Sequence, residues 1–266
     1  HSVAGLQRIL AVGLAGHYRS ADVDNGGTGV LLLPQALLLY VEGGAVWATG
    51  AEGQLPLDQG LLRGDLLLRQ LGAGCPHRAT FHIRKKVLRQ EKHPCAVIGD
   101  LGCYIMSGQA AGQYAFQACN CMGSGINLAE ALGQLTHYGL DQKVVTVCGD
   151  STFFHTILPG LVNATYHNAN MLLMVLDNSA TAMTGFQPHP ATGITAMGDQ
   201  VPPMDIQKVV EGIGCKAEVA DPFDVAETEK TIRRLLNTPG MNVLIMRQPC
   251  ATLMSKKKKR QVKVYV

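Results

Sequence analysis

Two short strings in this sequence end apolar, strand-like runs with oxygen-bearing side chains. Gly149-Asp150-Ser151 closes the run KVVTVCG, and Asp177-Asn178 follows the run MLLMVL, with Asn178 standing 28 positions after Asp150. Two adjacent parallel strands would bring the Asp150 carboxylate and the Asn178 amide oxygen to one sheet edge. Magnesium takes hard oxygen ligands in a near-octahedral shell at about 2.1 Å. One carboxylate, one amide oxygen and one backbone carbonyl leave room for two phosphate oxygens and a water. A helix starting near Thr152 would aim its first N–H groups at the same anion, and Gly149 permits close backbone approach. A plainer reading stays open for either motif alone, because Asp and Asn are ordinary turn formers at strand ends.

The elements that must position these residues are legible as an alternation. Cys95 to Gly99 (CAVIG), Lys143 to Gly149, Met171 to Leu176 and Val243 to Met246 are continuous apolar runs, and the first three end in Asp100, Asp150 and Asp177. Between them, helical spacing covers Ala79 to Arg89, Ile126 to Thr136, Phe154 to Asn168, Ile206 to Ile213 and Val225 to Leu236. Apolar strands alternating with helices predict an α/β fold: a parallel sheet with helices on both faces. Crossovers in such sheets are right-handed, and ligands bind at the carboxyl ends of the strands. This organisation occupies residues 72–250. Residues 1–71 read as an extension and connector, in which Leu31 to Val41 is a strand or a short helix and Gly43 to Asp58 is irregular. Residues 251–266 read as a basic tail around the run Lys256-Lys257-Lys258-Lys259-Arg260.

Composition narrows the function classes. With 47% apolar and 16% charged residues in 266, the chain can bury a sizeable core and is not compositionally disordered. Its net charge is only +3, part of it in the one Lys/Arg run, so no basic face for nucleic acid is expected. The longest apolar stretch, Val30 to Val41, is too short to span a bilayer and contains Pro34 and Gln35. No secretory signal is evident, and a chain starting at His1 reads as processed or incomplete. Eight cysteines without a CxxC pair favour reduced thiols in a cytoplasmic setting, mostly as small buried side chains.

The paired motifs resemble the thiamine diphosphate signature, with Ser151 where the third residue of GDG would be glycine. In wider context, GDSTFFHTILPGLVNA and LDNSATAMTGFQPHPATG resemble the α subunit of indolepyruvate:ferredoxin oxidoreductases. So do GCPHRATF (Gly74 to Phe81), GDLGCY (Gly99 to Tyr104), CMGSGI (Cys121 to Ile126), MGDQVPPMDI (Met197 to Ile206) and DPFD (Asp221 to Asp224). The resemblance covers roughly residues 72–250 and implies a thiamine diphosphate-binding fold.

On these matching positions the resemblance implies a site. Asp150, the Asn178 side chain and the Ala180 carbonyl would hold Mg2+, and Gly149 and Ser151 would contact the diphosphate. Thr184 would stand at its far side, with Met183 as apolar support or plain core. Gly102, Cys103, Met122 and Gly123 would approach the organic rings, with Cys103 alternatively a packed thiol. His77 would face the reaction centre or the diphosphate, or cap the helix that follows it. His155, His167 and His189 are read as surface or packing residues.

The implied activity is oxidative decarboxylation of an arylpyruvate-type 2-oxoacid to an acyl-coenzyme A, with electrons passing to iron–sulfur carriers and a ferredoxin. The sequence departs from the family in three ways. Residues 1–70 hold no counterpart of the pyrimidine-binding domain whose Glu activates the cofactor, so a partner domain or subunit must supply it. The chain stops where the linker to a ferredoxin-like domain would begin. Gly72 occupies the place of a cluster cysteine, leaving Cys75, Cys103 and Cys215 as three candidate thiolates where a [4Fe–4S] cluster usually takes four. Clusters are therefore expected on partner subunits. A non-redox 2-oxoacid decarboxylase and a non-catalytic structural subunit remain as alternatives.

Overall fold

The structure, a computed structural model, describes residues 74–108 and 116–257 and three strands N-terminal to them. Those strands, β1 (Gly29–Leu33), β2 (Ala36–Val41) and β3 (Gly44–Ala48), form an antiparallel sheet of their own. Its register sets Leu31 opposite Leu38 and Leu39 opposite Val46. The ambiguous run Leu31 to Val41 is thus two strands, separated by Pro34-Gln35, because Pro suits neither a ladder interior nor a helix interior. Gly43 to Asp58, expected to be irregular, contains β3. Val46 and Trp47 are strand-favouring residue types, and β3 pairs with β2.

The second sheet has six strands, all parallel, in the order β5-β4-β6-β7-β9-β8. They are β4 (Cys95–Gly99), β5 (Ala118–Cys119), β6 (Lys143–Gly149), β7 (Met171–Asp177), β8 (Lys216–Ala220) and β9 (Met241–Arg247). Helices cover both faces, as the alternation of elements predicted. Alternate residues of each strand feed opposite cores. From β7, Leu173 and Val175 enter a core with Ile126 and Ala129 of α2 (Ser124–Leu135), Leu161 and Ala164 of α4 (Leu158–Tyr166), and Ile206 and Val210 of α5 (Ile206–Gly212). Leu172, Met174 and Leu176 enter the other, with Phe81, Ile83 and Val87 of α1 (Pro76–Gln90) and Ile232, Leu235 and Leu236 of α6 (Val225–Leu236). Every residue of β7 is buried, so each large side chain contributes about 1.5–3 kcal/mol and the central strands form a stiff base.

That base ends where the chemistry begins. The chain leaving β6 enters a helix at once: α3 (Asp150–Thr152), a π-helical turn (Phe153–Ile157), then α4. Pro159, near the start of α4, has no N–H and crowds the carbonyl four residues before it, which accounts for the widened turn. A last helix, α7 (Ala251–Lys257), occupies the start of the segment read as a tail. No helix among the described residues is long and apolar enough to cross a membrane.

Candidate metal and diphosphate site

Asp150 is the last β6 residue's neighbour and the first residue of α3, and it is 2% exposed. Its Oδ1 accepts the Ser151 N–H at 2.8 Å. Its Oδ2 accepts the N–H groups of Asn178 at 3.1 Å and Ala180 at 3.3 Å. Two N–H groups can converge on one oxygen because Ser179, between them, has φ 61°, a left-handed conformation costly for a non-glycine residue (about 1–2 kcal/mol). The Asp150 carboxylate and the Asn178 loop therefore share one site, as the parallel pairing of β6 and β7 requires. Beyond β9, the chain returns to this loop: Gln248 N–H donates to the Asp177 carbonyl at 3.0 Å and Cys250 N–H to the Asn178 carbonyl at 2.9 Å. Asp177 itself accepts from Arg247 Nε at 2.8 Å and is a strand-end anchor.

The Asn178 amide is oriented from behind. Its Nδ2 donates to His77 Nε2 at 3.0 Å, while its Oδ1 accepts the Ala180 N–H at 3.1 Å. His77 does not cap α1. It is the second residue of that helix, whose N-cap is Cys75 without a side-chain bond. Burial pushes the His77 imidazole down to about 4, against the opposing pull of the Asp150 charge, so at neutral pH it is an uncharged acceptor. Asn178 Oδ1 is thereby turned towards the carboxylate side. Asp150 Oδ1 and Asn178 Oδ1 are hard oxygens of the type magnesium takes, and each accepts one backbone N–H, from Ser151 and Ala180.

A second strand-end aspartate lies one strand away. Asp100 follows β4 and is fully buried. It accepts the Tyr104 hydroxyl on Oδ1 and the Gly123 N–H on Oδ2 at 2.9 Å. Burial raises its carboxyl to about 6 despite those donors. Tyr104 also lies 3.3 Å from Thr152 Oγ1, so it links the two aspartate sites. The glycines around it make room for the ring: a Cβ at Gly102 would collide with Tyr104, and one at Gly149 would lie 3.2 Å from it. Gly123 adopts φ 81°, and a Cβ there would stand 2.5 Å from Thr156. Asp100 and Tyr104 carried no expected role, although a strand ending in Asp was their signal.

Ser151 is buried beside Asp150, while Met122, Met183 and Thr184 stand exposed. Met183 is therefore not plain core. Thr184 sits in a 3-10 turn and donates its hydroxyl to Gln187 Oε1 at 2.6 Å. Cys103 is a protonated thiol. Burial first, then the neighbouring Cys75, Cys250 and Asp150, push it up to about 12. This corrects the expected thiol trio. Cys215 is remote, buried at the amino end of β8 and directed at the Met241 carbonyl at 3.3 Å. The third neighbour of Cys75 and Cys103 is Cys250, which follows β9 at the carboxyl edge. Among the described residues no group of three His, Cys, Asp or Glu side chains is arranged to hold a metal ion.

The three histidines read as surface or packing residues divide. His155 is exposed and His167 holds Glu130 Oε1 at 3.0 Å, as surface and packing residues do. His189 instead reaches the site, with a fully buried side chain and Nε2 3.1 Å from Asp150 Oδ2. Its only sequence signal is the flanking pair Pro188 and Pro190, which does not reveal where the ring points.

Comparison with known proteins agrees with this fold. Residues 100–246 match the family model of the thiamine pyrophosphate enzyme C-terminal TPP-binding domain. The chain is 38% identical over 192 residues to indolepyruvate oxidoreductase subunit IorA of Archaeoglobus fulgidus, covering 72% of this chain and 30% of that protein. It is 35% identical over 184 residues to the same-named subunit of Methanothermobacter thermautotrophicus, covering 66% and 28%. The chain thus spans about 30% of the length of the curated relatives it matches. Its fold is similar to that of a 2-oxoglutarate:ferredoxin oxidoreductase from Magnetococcus marinus, with TM-score 0.58 at 17% identity over 68% of this chain and 64% of that one.

Proposed function

We propose, from the premise that this chain belongs to the family of thiamine pyrophosphate enzyme C-terminal TPP-binding domains, that it is the magnesium–diphosphate portion of an indolepyruvate-type 2-oxoacid:ferredoxin oxidoreductase. The observation that carries the reading is the convergence of Asp150 and Asn178 on one site beside the start of α3. Asp150, Asn178 and the Ala180 carbonyl would hold Mg2+, with residues 72–250 as the binding domain and 251–266 as its tail. When bound, thiamine diphosphate supplies the nucleophilic carbon and the electron sink for decarboxylating a 2-oxoacid. This chain's own part is positional. Gly149, Ser151 and the start of the helix after β6 would contact the diphosphate, and His77 would keep the Asn178 oxygen towards the cation. Gly102, Cys103, Met122 and Gly123 line the approach to the rings, with Met183 and Thr184 across from them. At its raised value Cys103 is a neutral thiol there, not a nucleophile.

The remaining parts of the reaction come from elsewhere in the assembly: an activating Glu from a pyrimidine-binding domain, iron–sulfur clusters, coenzyme A and a ferredoxin. Eight cysteines with no CxxC pair support a reducing, cytoplasmic setting. The test is an anaerobic assay of the complete assembly with an arylpyruvate, coenzyme A and a viologen. Coupled carbon dioxide release and viologen reduction are expected. Carbon dioxide release without acceptor reduction would point to a non-redox decarboxylase, and neither would leave the subunit structural.

A further inference from the structure

We propose that His189 is a positioning residue for Asp150, holding the carboxylate by Oδ2 so that Oδ1 is presented to the divalent cation. The inference deepens the metal–diphosphate reading and rests on it. The Ala191 N–H donates to His189 Nδ1 at 3.3 Å, which leaves the ring proton on Nε2. That Nε2 is buried, lies 3.1 Å from Asp150 Oδ2 and has no aligned hydrogen-bond partner. A buried donor left unpaired costs about 1–3 kcal/mol, more than packing alone repays at a position any apolar ring could fill.

The ring is bounded by its own turn and by a neighbouring aromatic side chain. The turn Pro190–Thr192 carries a capping box in which the Thr192 hydroxyl and the His189 backbone bond each other. Phe154, in the π-helical turn that follows Asp150, stacks on the imidazole at 6.3 Å and 28°. The widened turn thus brings Phe154 against the histidine that approaches Asp150. The donors around the carboxylate are unequal. Among the described residues, Oδ2 has the Asn178 and Ala180 N–H groups and His189 Nε2 close to it, whereas Oδ1 has the Ser151 N–H alone. Oδ1 is the oxygen with coordination capacity to spare. His189 completes the set on Oδ2 when a cation fixes the plane of the carboxylate.

The experiment is Mn2+ binding to the complete assembly in the presence of thiamine diphosphate, read by the electron paramagnetic resonance of free Mn2+. His189→Ala is expected to weaken Mn2+ binding about tenfold or more. His189→Gln, which keeps an N–H at a comparable reach, is expected to recover most of that loss. Should His189→Ala not assemble, His189→Leu keeps the bulk against Phe154 without the donor and takes its place. Binding within twofold of wild type in the Ala or Leu variant overturns the proposal, as does a Gln variant no better than Ala at equal thermal stability. Asp150→Ala separates the two layers. If it loses Mn2+ while both His189 variants keep it, only the positioning role falls. If it binds Mn2+ as wild type does, the metal reading falls and the role of His189 with it.

Discussion

Two aspartates end adjacent strands of one sheet, both buried, and the protein uses them differently. Asp150 is surrounded by backbone N–H groups from its own helix and from the Asn178 loop, with His77 and His189 behind. Asp100 is closed off by the Tyr104 hydroxyl and one N–H of Gly123, and burial holds its carboxyl near 6. The difference lies in what the donors leave over. Around Asp150 the donors crowd Oδ2 and leave Oδ1 with the Ser151 N–H, whereas Asp100 takes one donor on each oxygen and ties the chain after β4 to the start of α2.

The largest test of this contrast is Asp150→Ala. It should reduce metal-dependent turnover of the assembly by about 1000-fold, or about 4 kcal/mol, while Asp100→Ala impairs folding more than metal affinity. Steady-state kinetics at saturating Mg2+ beside a Mn2+ titration would read both. Next comes pH. The Asp100 carboxyl is raised from 3.8 to about 6 in the folded state, so its protonated form is favoured there. The stabilisation is present at low pH and is lost as pH rises through 6. Between pH 7 and pH 4 the wild type should gain about 2 kcal/mol relative to Asp100→Asn, measured by urea unfolding. An unchanged difference would mean that Asp100 is as well solvated as an ordinary carboxylate.

A smaller effect separates orientation from ligation. His77→Ala should weaken Mn2+ binding about tenfold, and His77→Gln, which keeps an acceptor for Asn178 Nδ2, should restore most of it. The smallest expected effect probes the bridge between the sites. A methyl at Gly149 would press on the Tyr104 ring at 3.2 Å, so Gly149→Ala should cost about 1 kcal/mol of stability. Thermal unfolding of Gly149→Ala, Tyr104→Phe and the double variant would show whether the cost passes through that ring.

The interior strands were legible because they are continuous apolar runs: Cys95 to Gly99, Lys143 to Gly149 and Met171 to Leu176 coincide with β4, β6 and β7 within a residue, and Val243 to Met246 lies inside β9. The edge strands were not. Lys216–Ala220 is no continuous apolar run, because this edge strand is only partly covered and leaves Lys216 and Val219 exposed, and Ala118–Cys119 is too short for a pattern. Pairing of Asp150 with Asn178 followed from strand adjacency alone. His189 did not, since a loop gives no period from which a side-chain direction can be read. The thiol trio failed for a reason topology supplies. In a parallel sheet Cys215, preceding β8, and Cys250, following β9, stand at opposite edges, and only the latter edge holds Cys103.

The bonds from Gln248 and Cys250 back to Asp177 and Asn178 have a further consequence. They lace the exit of the final strand to the Asn178 loop, about 70 residues upstream. A polypeptide trimmed after Arg247 would retain six strands and both cores, yet the amide at 178 would lose its outer fastening. Whatever displaces the segment after β9, including a neighbouring subunit drawing on it, tugs on that amide as well.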